Sequence, residues 1–331
     1  MLFPCARSSP MLAVTVGWAL RRSQPGATFV CYRSDSMTES GPLVTIVTPS
    51  YNQAQFLEQT MQSVFNQTYP RIEYIVTDAG SKDDSVSIIK KYGPRLKYWH
   101  SHRDKGSADG IHQGYQQSSG EILTWLNSDD VLAEDAVERA VAALTRNPDA
   151  VMVYGNRMVI DEKGRVLYVR PSLPFLSRSP YISTILPQET CFFRRHIYYE
   201  TGGLDADMWF GFDYDLFSKF ARRGRIAYAG DIWGFFRKHR AARTMLQTAT
   251  IGAQDAAVVH QRVWGRKIGA LEWKLAHALV KGYAIAAAPF VRKPCWPRCL
   301  PPMQKVGLVR AYVEALHETS KLKRVLRLLV R

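Results

Sequence analysis

The chain has 331 residues, 46% of them apolar, which is enough for a full-sized buried core and outside the composition of disordered proteins. Its net charge is +15, and residues 262–331 supply +12 of that, with 15 Lys and Arg against 3 Glu. Residues 1–36 add +3, so the body from 37 to 261 is neutral, which argues against a nucleic-acid partner and leaves the tail to choose the surface the protein sits on.

Residues 1–36 show no helical or strand period. Met11 to Leu20 is a short apolar run before Arg21-Arg22, too short to cross a bilayer and without a small-residue cleavage site after it. A poorly ordered extension is expected here, with the folded body starting at Met37. The five cysteines are odd in number and irregular in spacing. Cys295 and Cys299 lack the second pair of a zinc site, and a reducing compartment fits best.

From residue 43 the pattern is regular. Leu43–Thr48 is a β-branched run that reads as a buried strand, broken by Pro49-Ser50-Tyr51-Asn52. Phe56, Leu57, Met61, Val64 and Phe65 follow at helical spacing. Ile72–Thr77 is a second strand ending at Asp78. Asp83-Asp84 cap a helix to about Tyr92. Leu96–His100 is a third strand, and Ala108–Ser118 a short helix. The strand from Gly120 stops at Asn127-Ser128-Asp129-Asp130.

Strand–helix alternation of this kind predicts an α/β fold, a Rossmann-like and mostly parallel sheet with helices on both faces. Right-handed crossovers then bring Tyr51, Asp78 and Asp129 to one edge of that sheet, where such folds bind ligands. An apolar strand ending in paired carboxylates suits a hard divalent cation. The same Ser-Asp-Asp also suits a helix N-cap. An aromatic ring, a lone carboxylate and a metal-type pair are what a nucleoside diphosphate needs. No Gly-x-Gly-x-x-Gly or Gly-Lys-Ser/Thr loop follows the first strand, which argues against a dinucleotide fold and a nucleotidyltransferase.

Val47-Thr-Pro-Ser-Tyr-Asn52, Val76-Thr-Asp-Ala-Gly-Ser81, Asp104-Lys-Gly-Ser-Ala-Asp109 and Trp125-Leu-Asn-Ser-Asp-Asp130 resemble, in order and spacing, the motifs of glycosyltransferase family 2. The resemblance covers roughly residues 43–240. It implies a GT-A fold, a nucleotide-diphosphate sugar donor, Mn²⁺ or Mg²⁺, and inversion at the anomeric carbon. It places Pro49, Tyr51 and Asn52 beside the base and Asp78 on the base or ribose. Asp104, Lys105, Asp109 and Asn127 then line the donor pocket, Asp129 meets metal and diphosphate, and Asp130 assists. Ala79 and Asn127 stand where the family often has acids.

The second half is expected to supply the acceptor side. Ala150–Gly155 reads as a strand, and Asn156–Ile160 with Arg165–Val169 as a hairpin around Asp161-Glu-Lys-Gly164. Pro171–Pro187 reads as a loop, Thr190–Arg194 as a strand, and His196–Thr201 as a short helix stopped by Gly202-Gly203. Gln188 and Glu189 are candidate acceptor contacts. Asp213 and Asp215 open a helix ended by Gly224. An inverting transfer needs a base, and the resemblance assigns it to Asp213, leaving Asp215 as cap or acceptor contact. After a strand at Ala227–Trp233 comes Phe236-Arg237-Lys238-His239, where the family brings a basic residue and a histidine to the diphosphate or metal, which makes His239 a candidate ligand.

The expected organisation is therefore an extension over 1–36, a GT-A domain over 37–245 with donor half 43–130 and acceptor half 131–245, and a basic helical region over 246–331. Leu275–Val291 is apolar but interrupted by His277 and Lys281, a poor transmembrane segment. Leu322, Val325, Leu326 and Leu329 share one face among Lys321, Lys323, Arg324 and Arg327, the pattern of an interfacial helix on anionic lipid. The acceptor implied is a glycan or lipid-linked saccharide of cell-surface polysaccharide synthesis, and the location the cytoplasmic face of the cell membrane. If residues 1–36 are dispensable, a chain starting at Met37 is soluble and keeps the donor affinity of the full chain. Insolubility of that chain alone contradicts this reading.

Overall fold

The computed structural model describes residues 41–173, 186–208, 210–242, 251–291, 294–295 and 297–301. The extension over 1–36, most of the 171–187 loop and the helix face at 322–329 lie outside the described residues. The chain divides into Met1–Asp35 and Ser36–Arg331, and the description below is of the second unit.

Its first half alternates as the periodicity predicts. β1 (Val44–Ser50), α1 (Ala54–Phe65), β2 (Ile72–Asp78), α2 (Ser85–Tyr92), β3 (Tyr98–Ser101), α3 (Ser107–Gln116) and β4 (Ile122–Trp125) follow one another. All seven residues of β1 are buried, as a β-branched strand covered on both faces requires. The strands run parallel in the order β3-β2-β1-β4. Ser50 pairs with Asp78 and Asp78 with Ser101, so the strand ends share one edge. Asp83 accepts from Ser85 N at 3.0 Å and from Ala54 N at 2.9 Å, and so caps α2 while holding the start of α1.

The second half changes direction. It contains β5 (Val131–Leu132), α4 (Ala136–Arg146), β6 (Ala150–Ile160), β7 (Val166–Arg170), β8 (Cys191–Arg194), α5 (Arg195–Glu200), α6 (Phe212–Arg223) and β9 (Arg225–Arg237). The sheet continues from β4 as β8-β6-β9-β5, with β7 paired to β6. β8 is antiparallel to both neighbours, and β6 and β9 are parallel. The segments read as separate strands over 150–155 and 156–160 form one strand, with register irregularities around Asn156. β9 runs past Trp233 to Arg237 because Gly234 is a close-approach point and not a stop. A Cβ there would lie 2.6 Å from Glu189 Cγ. Ser128-Asp129-Asp130 caps no helix, since β5 intervenes before α4.

Apolar clusters fill both faces of the sheet. One joins α1 and α4 to the strands, and the other joins α3, α5 and α6 around Trp125, Phe193 and Tyr198. Trp125 is 1% exposed and stacks on Phe217 with centroids 5.7 Å apart. That stack fixes the C-terminal end of β4, and with it the acidic loop that follows. Beyond β9, α7 (Ile251–Trp264) and α8 (Ala270–Ala287) extend the unit. No helix among the described residues is long and apolar enough to cross a membrane.

Candidate active site

The ends of β1, β2, β3 and β4 meet α6, the start of β8 and the end of β9 around one cleft of about 1450 Å³. Its walls include Pro49, Tyr51, Asp104, Lys105, Asn127, Asp129, Asp130, Gln188, Glu189 and Asp213, so the structure gathers these sequence candidates in one place.

Tyr51 is 58% exposed at the rim of the cleft. Asn52 does other work. It has φ +52, its N–H donates to Ser81 Oγ at 2.8 Å, and its Oδ1 accepts from Lys82 N at 2.8 Å. Asn52 therefore ties the β1 loop to the β2 loop and does not face the cleft. Asp78 is fully buried. Its carboxylate accepts from Gly80 N, Ser81 N, Ser81 Oγ and Ser101 Oγ at 2.5–3.1 Å. Gly80, at φ +79, lets that turn close on the carboxylate. What lines the cleft is the turn Asp78 holds: Ala79, Gly80, Ser81 and Lys82. Asp104 is half-buried, accepts from Gly106 N at 2.9 Å, and is pushed above the usual carboxylate range by burial. Asp109 accepts from Lys105 N at 3.0 Å and Gln113 Nε2 at 2.9 Å, so it shapes the Lys105 loop from within α3.

The acidic loop is held from the far end of the chain. His239 Nε2 lies 2.9 Å from Asp129 Oδ2, with the histidine side chain 2% exposed and the aspartate 21%. A carboxylate only accepts, so Nε2 carries the proton of this bond. Asp130 is buried, and Arg237 N donates to its Oδ1 at 2.9 Å. Burial, then the charges of Asp129 and Glu189, push Asp130 well above the usual carboxylate range. The Arg237 side chain is fully buried and donates to Asp129 O, Asp161 O, Glu162 O and Gln59 Oε1. It holds the loop from behind, with its donors turned to protein acceptors.

Among the described residues no three His, Cys, Asp or Glu side chains converge at metal-ligand spacing. The groups present nevertheless fit a shared cation. Two adjacent carboxylates, one of them pushed up by burial and then by the charge of the other, call for a positive charge, and hard dications complete their shell with substrate phosphate oxygens. Lys82, Arg103 and Lys105 add positive charge to the same cleft.

Asn127 Nδ2 donates to Gln188 Oε1 at 3.1 Å, and Gln188 Nε2 donates to Trp125 O at 2.7 Å. Glu189 is 2% exposed. Its Oε2 pairs with Arg157 Nη1 at 3.3 Å, while its Oε1 is buried with no hydrogen-bond partner among the described residues. Asp213 borders the cleft at the start of α6, with its Oδ1 accepting from Tyr214 N at 2.8 Å. Burial raises its carboxyl to about 6, the nearby Glu189 adding to the rise and Arg157 opposing it. Asp215 does not join the site. It is fully buried, 2.7 Å from Lys219 Nζ and paired with Arg262 of α7. Sequence reasoning missed Arg157, Phe236, Trp273 and His277, all of which line the cleft. Arg157 sits in mid-strand, and only the tertiary pairing of β6 beside Glu189 reveals its use.

A parallel half joined to a mixed half, with an acidic loop at the strand ends, defines the GT-A class of glycosyltransferases. Residues 45–219, more than half of the chain, match the sequence profile described as Glycosyl transferase family 2, and the chain belongs to that family. It is similar to an uncharacterised glycosyltransferase of Rickettsia typhi, 29% identical over 212 residues that make up 61% of this chain and 66% of that relative. The chain thus spans just under two thirds of that relative's length. Its fold is similar to that of a mannosyltransferase from Pyrobaculum calidifontis solved with GDP-Man and Mn²⁺, at TM-score 0.55 and 19% identity, over 88% of this chain and 80% of that one. It is also similar to S. aureus TarS 1–349 solved with UDP-GlcNAc, at TM-score 0.52 and 16% identity, over 76% and 74%.

Asp129→Asn keeps the shape of the loop and removes its exposed negative charge. Donor affinity measured with and without Mn²⁺ should lose its metal dependence in this variant. An unchanged metal dependence overturns the assignment of Asp129.

Proposed function

We propose that the protein is an inverting glycosyltransferase that moves a sugar from a nucleotide-diphosphate sugar to a hydroxyl of a saccharide or lipid-linked acceptor, in the synthesis of cell-surface polysaccharide. The observation that carries this reading is that one cleft holds two carboxylate sites on separate elements. Asp129 stands at the end of β4 beside His239, and Asp213 stands at the start of α6 with its carboxyl raised to about 6.

A Mn²⁺ or Mg²⁺ ion held at Asp129, with Asp130 behind it and His239 beside it, would neutralise the diphosphate and help it leave. Tyr51 stacks on the base, and Lys82, Arg103 and Lys105 attract the phosphates. Asp104 and Asn127 border the donor sugar. Asp213 takes the proton from the acceptor hydroxyl as its oxygen bonds to the anomeric carbon and the bond from that carbon to the diphosphate oxygen breaks. A carboxylate at about 6 is ionised at neutral pH yet more basic than a solvated one, which suits a general base. The unpartnered Glu189 Oε1 supports a donor hydroxyl from substrate at that point, because a buried acceptor without a partner is costly. The basic tail supports a place on the cytoplasmic face of the cell membrane.

Asp213→Asn should bind donor within a few-fold of wild type and transfer about 10²-fold more slowly or worse. In the wild type, transfer should fall tenfold per unit as pH drops below about 6, since the protonated carboxyl cannot accept the acceptor's proton. The stability effect has the opposite sense. With the folded value raised, the folded state binds more protons than the unfolded chain, so this site favours folding most at low pH and loses that contribution as pH rises through about 6. The Asn variant should therefore match wild type in stability near pH 4 and exceed it at pH 8. Normal transfer by the variant, or a pH profile without the acid limb, overturns the role of Asp213.

A further inference from the structure

The helix α8 is apolar on two faces, and among the described residues only one of them is covered. Trp273 and His277 line the cleft, and Val280, Ala284 and Ala288 are buried against the body. On the opposite side Leu271 is 71% exposed, Leu275 56% and Leu279 73%, and Phe290 just beyond the helix is 84% exposed. Positions 271, 275 and 279 are four residues apart and form one stripe along the helix. Ala278, Gly282 and Ala286 lie in the same sector and are also exposed. Lys274 and Lys281 flank it on one side and are exposed. A soluble surface seldom shows three leucines in a row, and such a stripe marks an interaction surface.

We propose that the Leu271–Leu275–Leu279 face of α8 is the surface by which this protein lies in the headgroup region of an anionic membrane. Three observations choose lipid over other occupants. The stripe is bordered by lysines, and residues 262–331 carry a net charge of +12, so charge and apolar face point to the same partner. The helix has 18 residues and does not qualify as a crossing segment, so it lies along a surface and does not enter it end-on. Its other face is a wall of the cleft, so the cleft stands about one helix diameter, roughly 10 Å, from the lipid plane.

This assigns the membrane contact to a segment different from the basic stretch at 321–329 that the sequence pattern suggests. It also narrows the acceptor. Where the transfer reading holds, a hydroxyl carried on a lipid anchor reaches Asp213 from the membrane side past α8, and a freely soluble acceptor has no need of the stripe. The surface itself does not depend on the transfer reading.

The test uses the full chain and the double variant Leu275→Asp/Leu279→Asp. Both are sedimented with vesicles of phosphatidylcholine alone and of phosphatidylcholine with phosphatidylglycerol, at low and high salt, alongside donor affinity, Tm and native mass in solution. High salt screens the basic tail and leaves the apolar term. The expected result is that wild type binds the anionic vesicles and keeps part of that binding at high salt. The variant should bind about tenfold or more weakly at high salt, with unchanged Tm, mass and donor affinity. Equal binding by the two chains, or no binding by wild type, overturns the proposal. So does a fall in Tm of the variant without lipid, which would mean that residues 302–331 cover the stripe. So does a wild-type dimer that the variant dissolves, which would mean that a second copy covers it. Vesicle binding without donor affinity would uphold the surface and defeat the transfer reading instead.

Discussion

A guanidinium removed from water must spend its donors on the protein, and Arg237 spends them on the loop that ends β4. Its side chain holds the carbonyl of Asp129, the carbonyls of Asp161 and Glu162 in the β6–β7 turn, and Gln59 of α1. Its own N–H holds the Asp130 carboxylate. Two residues further on, His239 fixes the Asp129 side chain. The last strand of the sheet's mixed half thus positions the acidic loop of its parallel half. Truncation of the Arg237 side chain would take a charged donor from the carbonyls of Asp129, Asp161 and Glu162 and from Gln59, at about 1.5–3 kcal/mol for each bond that water does not replace.

That tie lets the cleft separate two charges of the same sign. Asp129 keeps a partly exposed carboxylate beside a protonated histidine nitrogen. Asp213 keeps a carboxylate that burial makes more basic. Glu189 lies close enough to raise both Asp130 and Asp213, and its pairing with Arg157 limits how far. Under the proposed reaction the first site serves the departing diphosphate and the second the incoming hydroxyl. Neither needs to move, because each is held by its own element.

Much of this was legible in the sequence, and the gaps have physical causes. Strand and helix periods traced the first half closely, because β1, β2 and β4 are almost wholly buried and each helix keeps one apolar side. The direction of the later strands was not legible, since a parallel and an antiparallel strand have the same residue pattern. The strand ends brought Asn52 and Asp78 to the right edge, but periodicity does not say how a side chain spends its hydrogen bonds. Asn52 spends its bonds on Ser81 and Lys82 of the neighbouring loop, and Asp78 on its own turn and Ser101. Asp213 and Asp215 are different. Residues two apart on a helix point to opposite sides, so only one of them could face the cleft, and the other had to find partners in Lys219 and Arg262. The strand expected over Ala227–Trp233 runs on to Arg237, and the close packing of Glu189 against Gly234 within it is a tertiary fact.

The central claim is a single displacement, with one carboxylate for the base and another site for the leaving group. It fixes the stereochemistry of the first product. With whichever sugar nucleotide the enzyme turns over, proton NMR of the product recorded before it can mutarotate reads the configuration at the anomeric carbon. The account predicts inversion relative to the donor, while a product that retains the donor's configuration would contradict it.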